Sequence, residues 1–273
     1  MTEAAASEPA AEPSRPARGV LRRTLLGLLG LLVVAVLAFV VWASLAAGPE
    51  PGPLEAALAD EAVEVTRGPV VELRPTGSTP SQAVVFYPGA RVHRDAYIAT
   101  WAPIVAATDT LVLIPRMPLN LAILGRSRAA DLRADHPGID TWWVGGHSLG
   151  GAMAASFVAG QEPGRFEGLL LWGAYAVDGT GLADRQDLEV LSVSGSRDGL
   201  STPEEIQARR DLLPPDARMV EIEGMNHAQF GRYGSQAGDR TPTISDAEAT
   251  SRLLEAHLPV LGELGGEVGH PQG

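Results

Sequence analysis

The sequence predicts an α/β fold, with a mostly parallel twisted sheet covered by helices on both faces, preceded by one membrane-spanning helix. Three observations carry this. Residues 25–47 hold no charge over 23 consecutive positions. Short apolar runs then recur at about 83–87, 110–114, 141–145, 168–173, 188–194 and 218–223, each reading as a buried strand. Helical stretches fall between them, and two begin with capping boxes, Thr202-Pro203-Glu204-Glu205 and Ser245-Asp246-Ala247-Glu248.

From the amino terminus, residues 1–23 are rich in Ala, Pro, Glu and Ser and end in Arg15, Arg18, Arg22 and Arg23, which predicts a disordered, basic-ended tail. Residues 24–47 are the expected transmembrane helix, because 23 uncharged residues suffice to cross a hydrocarbon core of about 30 Å. The arginines before it place the tail in the cytoplasm and the rest of the chain outside. The alternative is a signal peptide cleaved near Ser44-Leu45-Ala46 and a secreted protein, but signal cores run to only about 7–15 residues. Residues 48–59 read as a Pro/Gly linker, 60–261 as one domain and 262–273 as a flexible tail.

Within the domain, Ala62–Thr66 and Pro69–Leu73 are split by Arg67-Gly68 and predict an antiparallel edge hairpin. Beyond residue 23 there are 17 arginines against 30 acidic residues, which disfavours nucleic acid as a partner. The chain has no cysteine and its six histidines are scattered, so neither a metal site nor a cofactor is expected. Nothing in the pattern fixes an oligomeric state.

The chemistry centres on Gly145-Gly146-His147-Ser148-Leu149-Gly150-Gly151, between a strand-like run and a small-residue helix. This is the G-x-S-x-G pattern of a nucleophile on a tight strand-to-helix turn. Side chains two residues either side of the serine would collide there, and Gly146 and Gly150 remove them. In a chain with 31 glycines the pattern alone says little. A near-match at Gly125-Arg126-Ser127-Arg128-Ala129 follows no strand and is set aside.

A serine nucleophile needs a base, and the base needs an orienting acid. Asp198, in Gly195-Ser196-Arg197-Asp198-Gly199, follows the run at 188–194, and His227 follows the run at 218–223. Both therefore sit past the carboxyl end of a strand, where sites in open parallel sheets lie. Asp178, after the run at 168–173, is the rival acid. Two N–H groups must hold the developing oxyanion. They are expected from Leu149 and from Ala90 in the Pro88-Gly89-Ala90-Arg91 loop.

At this point the chain resembles the α/β-hydrolase superfamily over about residues 60–260. It is similar to the small single-domain alpha/beta-hydrolase fold-5 group, which includes dienelactone-hydrolase-like proteins. Beyond the elbow, the resemblance rests on Tyr87-Pro88-Gly89-Ala90-Arg91-Val92, Pro115–Ala122 and Asn226-His227-Ala228-Gln229-Phe230-Gly231. It implies a hydrolase with Ser148, Asp198 and His227 as its triad. Dienelactone hydrolases proper use a cysteine nucleophile, so their reaction does not carry over to a chain without cysteine.

Residues 174–187 are too few for a lid domain, so only the loops at 115–125 and 228–244 could cover the site. Met117 and Phe230 are the candidate substrate-lining residues. Met117, Leu119, Leu121 and Ile123 could equally be core, and His147 reads as a packing residue. The expectation is a membrane-anchored serine hydrolase acting on a small-molecule or lipid-like carboxylic ester or thioester. The alternatives are an acyltransferase using the same triad, or a binding protein that keeps the fold without turnover.

Overall fold

The structure is a computed structural model and describes residues 17–262, with side chains from residue 21. It divides into two units, one ending at Trp42 and the other beginning at Ala43. The first is dominated by helix α1 (Ala17–Ser44), whose Leu21–Ser44 stretch has a mean hydropathy of 2.9. Its leucines and valines are exposed along the whole length. A 24-residue helix is about 36 Å long, enough to cross a bilayer core. The helix begins at Ala17, so residues 17–23 are helical where a disordered tail was expected. Arginine is a good helix former and lets the apolar helix extend backwards. The expected disorder of residues 1–16 and of the tail after 262 lies outside the described residues.

In the second unit, the stretch expected to be a linker contains helix α2 (Pro51–Leu58). Its proline occupies a first-turn position, where a missing N–H costs nothing, and Ala57 is buried. Eight strands then form one sheet: β1 (Val63–Arg67), β2 (Val70–Pro75), β3 (Gln82–Tyr87), β4 (Leu111–Pro115), β5 (Thr141–His147), β6 (Gly168–Trp172), β7 (Glu189–Gly195) and β8 (Arg218–Ile222). Their order is β1-β2-β4-β3-β5-β6-β7-β8. The predicted hairpin is the antiparallel edge, β2 also runs antiparallel to β4, and every later pairing is parallel.

The strands are apolar on both sides because both faces are covered. Val84 and Phe86 of β3 join a core with helices α3 (Ile98–Thr108) and α7 (Asp246–Leu261). Ala83, Val85 and Tyr87 join another with α4 (Arg128–Asp135) and α5 (Leu149–Ala159). Thr202 and Glu205 make the full reciprocal capping box on α6 (Pro203–Gln207). At α7, Ser245 caps Glu248 N–H, which is one half of the expected box.

Under α3 and α7, Trp101 stacks on Trp172 with ring centroids 4.7 Å apart, and Phe86 lies 4.5 Å from Trp172. His257 closes this cluster. It accepts from Trp172 Nε1 at 2.9 Å, and its Nδ1 pairs with Leu253 O at 2.6 Å. Burial pushes the His257 imidazole down to about 4. As pH falls from about 6.5 towards that value, the unfolded chain takes up a proton that the folded one refuses, removing about 1.4 kcal/mol of stability per pH unit. We expect His257→Leu to flatten this loss in thermal unfolding measured between pH 7 and 4.5. The same variant should unfold earlier at pH 7, because Trp172 loses its acceptor.

Candidate active site

The parallel sheet changes direction of winding at β3, with β4 on one side and β5 on the other, and ligands bind outside the carboxyl ends of strands at such a point. Ser148 stands there, between the end of β5 and the start of α5. Its backbone has φ 54° and ψ −125°, a conformation that L residues rarely adopt. Its N–H donates to Trp172 O at 2.9 Å, fixing the turn to β6.

The elbow glycines are required by contact. A Cβ on Gly146 would lie 2.5 Å from the Gly150 carbonyl carbon. A Cβ on Gly150 would lie 2.1 Å from Tyr87 O and 2.5 Å from Pro88 O. The second clash is with the loop after β3, not with the other arm of the elbow. Glycine at 150 thus lets the start of α5 touch the loop that carries Ala90.

Asp198 and His227 meet as expected. Asp198 Oδ2 is 2.7 Å from His227 Nδ1, and both side chains are almost wholly buried. Oδ1 accepts from the N–H groups of Leu200 at 2.8 Å and Ser201 at 2.7 Å. The carboxylate is thereby fixed, and its hold on Nδ1 leaves Nε2 as the free imidazole nitrogen. The His227 ring lies 4.3 Å from that of His147, the residue before Ser148. Ser148 Oγ makes no hydrogen bond among the described residues, and Ser148 is partly exposed. The rival Asp178 is exposed, away from this pairing.

On the loop after β3, Gly89 N–H donates to Tyr97 Oη at 2.9 Å, while Ala90 N–H has no partner among the described residues. Leu149 opens α5, so its N–H has no carbonyl four residues back. Neither Ala90 N–H nor Leu149 N–H, the two expected oxyanion donors, is committed to a partner among the described residues.

Three residues that the sequence reading missed brace the site. Tyr97, wholly buried, links Gly89 to His147 Nδ1 at 2.9 Å. Burial raises the Tyr97 phenol, whereas burial and then the neighbouring His227 hold His147 well below the usual imidazole range. His147 is thus a neutral brace. Gly173, at φ 47°, leaves room for Asp198 Oδ2, which would lie 3.0 Å from a Cβ there. Asp239 accepts from the N–H groups of Gly199 at 3.0 Å, His227 at 3.3 Å and Ala228 at 3.0 Å, joining the loop after Asp198 to the loop that carries His227. No local pattern marks Tyr97 or Asp239, since each acts across a long stretch of chain.

Both candidate substrate-lining residues are buried side chains. Phe230 is fully buried, 5.4 Å from the His147 ring and 6.2 Å from Trp172. Met117 is buried in the core with Tyr87, and Leu121 is buried too, whereas Ile123 is exposed. The 228–244 loop is held by Asn226 Nδ2 to Arg240 O at 2.8 Å and Gln229 Nε2 to Ile244 O at 3.1 Å. Among the described residues, no group of three or more His, Asp or Glu side chains is arranged to hold a metal ion.

A twisted parallel sheet with a strained serine elbow and an Asp–His pair at its carboxyl edge defines the alpha/beta hydrolase class. The chain belongs to the alpha/beta hydrolase family, whose model matches residues 83–251. Solved structures share the fold. Carboxyl esterase 2 from Tuber melanosporum is 12% identical with a TM-score of 0.54, over 77% of this chain and 90% of that one. Est1E from Butyrivibrio proteoclasticus, solved with ferulic acid bound, is 12% identical with a TM-score of 0.53, over 73% and 96%. An alpha-beta serine hydrolase homologue from Coxiella burnetii is 16% identical with a TM-score of 0.50, over 71% and 96%. No curated protein sequence matches the chain.

Removing the Asp239 brace leaves four backbone donors without their acceptor, the N–H groups of Gly199, His227, Ala228 and Arg240. Asp239→Ala is expected to cost about 1–3 kcal/mol in denaturant unfolding. Amide hydrogen exchange should quicken at Gly199, His227 and Ala228 and stay unchanged along β3.

Proposed function

We propose that the protein is a membrane-anchored serine hydrolase that cleaves carboxylic esters or thioesters through an acyl-enzyme on Ser148. The carrying observation is the buried 2.7 Å Asp198–His227 pair beside the strained Ser148 elbow. His227 Nε2 takes the hydroxyl proton as Oγ attacks the acyl carbon. The N–H groups of Leu149 and Ala90 hold the oxyanion, and collapse expels the alcohol or thiol, which recovers the proton from His227. Water then attacks the acyl carbon as His227 takes its proton, and collapse breaks the acyl–Oγ bond, Ser148 Oγ recovering that proton from His227 as the carboxylic acid departs. Asp198 keeps the imidazole in the productive tautomer and stabilises its charged form. The esterases among the fold neighbours agree with this chemistry.

The residues just after the apolar helix support an uncleaved anchor. Ala43 is buried in the domain, and Ala47 donates to Arg91 O at 2.7 Å and accepts from His93 N–H at 2.8 Å. Cleavage near Ser44–Ala46 would strip residues that the domain packs against. The arginines before the helix orient the tail to the cytoplasm and the domain outward.

A fluorophosphonate probe should label the wild-type chain and fail to label Ser148→Ala; equal labelling of the two would refute the nucleophile. Asp198→Asn should retain the thermal transition and lower kcat by about 10⁴-fold in ester hydrolysis, while Asp178→Asn stays near wild type. Protease added to intact cells should remove the domain and spare the tail, and full protection would reverse the orientation.

A further inference from the structure

The segment from the last residues of the apolar helix to α2, residues 43–50, is tied to the rim of the proposed active site. Asn120 Nδ2 donates to Ala43 O at 3.1 Å, and the Arg91 guanidinium donates to Leu45 O at 2.9 Å. Ala47 pairs with the backbone of Arg91 and His93, and Arg91 N–H donates to Asn120 O at 2.9 Å. Glu50 N–H reaches Arg232 O at 2.7 Å, and the Glu50 and Arg232 side chains pair at 3.2 Å. Arg91 directly follows Ala90, and Arg232 lies on the loop after His227. One short strap therefore fastens to the oxyanion loop, to the 115–125 loop and to the base loop. Arg91, Leu119 and Asn120 hold left-handed conformations at these fastenings, a cost sustained where the surroundings fix them.

The end of the apolar helix at Ser44 is three residues from Ala47, a reach of about 10 Å of fully extended chain. The loop carrying Ala90 is therefore held close to wherever the membrane span ends. The surface there has the composition of a membrane interface. Outside α1, the most exposed large apolar side chains are Leu45 at 63%, Ile123 at 56% and Leu124 at 53%. Residues 116–128 carry Arg116, Arg126 and Arg128 and no acidic residue, in a chain of net charge −12. Exposed leucine and isoleucine flanked by arginine suit the boundary between headgroups and acyl chains, and arginine near the surface favours anionic lipid.

We propose that this rim rests on the bilayer that holds the chain's own helix, so that the substrate is a membrane-resident amphiphile whose ester lies at headgroup depth. Leu45, Ile123 and Leu124 enter the interface, and Arg116, Arg126 and Arg128 meet the headgroups. The acyl chain of the substrate stays in the hydrocarbon while its carbonyl comes to Ser148. This rests on the hydrolase and anchor reading above and adds the class of substrate.

The test uses the full chain in vesicles of phosphatidylcholine and phosphatidylglycerol. Because the sequence has no cysteine, single substitutions Leu124→Cys and Glu255→Cys each accept one NBD fluorophore. Nitroxide-labelled lipid should quench the dye at 124 at least about twofold more than at 255. Ile123→Ser combined with Leu124→Ser should lower turnover of a long-chain nitrophenyl ester embedded in the vesicles by about fivefold or more, with hydrolysis of nitrophenyl acetate in water unchanged. Equal quenching at 124 and 255, or an equal change in both activities, overturns the proposal. A wild-type chain inert to nitrophenyl acetate would instead sink the hydrolase reading, and the quenching would still decide whether the rim meets the membrane.

Discussion

Backbone touches backbone where α5 begins beneath the end of β3. The carbonyl oxygens of Tyr87 and Pro88 occupy the space that a side chain at position 150 would need, and the Gly150 carbonyl does the same for position 146. This contact sets how near the elbow stands to the loop carrying Ala90. It joins two different crossovers of the sheet, the one that carries Leu149 and the one that carries Ala90. The φ of 54° at Ser148 is the conformational cost of that approach, held by the bond from its N–H to Trp172 O.

Around that contact the interior keeps its polar groups neutral or paired. His147 and Tyr97 share a hydrogen bond, and His257 is sealed against Trp172. Burial disfavours the charged form in all three. The buried carboxylate of Asp198 is treated differently, with His227 Nδ1 and two backbone donors around it. That contrast separates the two imidazoles: His147 has a hydroxyl partner, and His227 has a carboxylate, which suits the proposed role of His227 as the base.

Much of this was legible because it is local. Strand periodicity, the hairpin split by Arg67-Gly68 and the two glycines of the elbow are written within a few residues of where they act. Asp198 and His227 could be read from their place after successive apolar runs, although nothing in the letters says they touch. Helix α2 was hidden because its Pro-Gly-Pro start resembles a linker, and it becomes a helix by burying Ala57 against the domain. Tyr97, Gly173 and Asp239 escaped because each is defined by what approaches it from a distant part of the chain. The burial of Phe230 was equally out of reach: the letters place it on a long loop, and its ring is fully buried beside His147 and Trp172 only because distant elements meet there.

On the proposed anchor reading, the strap gives the amino-terminal helix a consequence beyond attachment. A long flexible tether would let the domain sample many distances and orientations, and its site would meet soluble and membrane substrates alike. Here the first residues of the domain bond to Arg91, His93, Asn120 and Arg232, leaving little free chain between the helix and the site rim. The acidic surplus of the domain does not oppose this arrangement, because the 116–128 segment at the strap carries arginine without acid. Under the proposal that this rim meets the membrane, charge separated in this way would turn the acidic surface from anionic lipid and the basic rim towards it, an orienting torque that acts within about a Debye length of the surface.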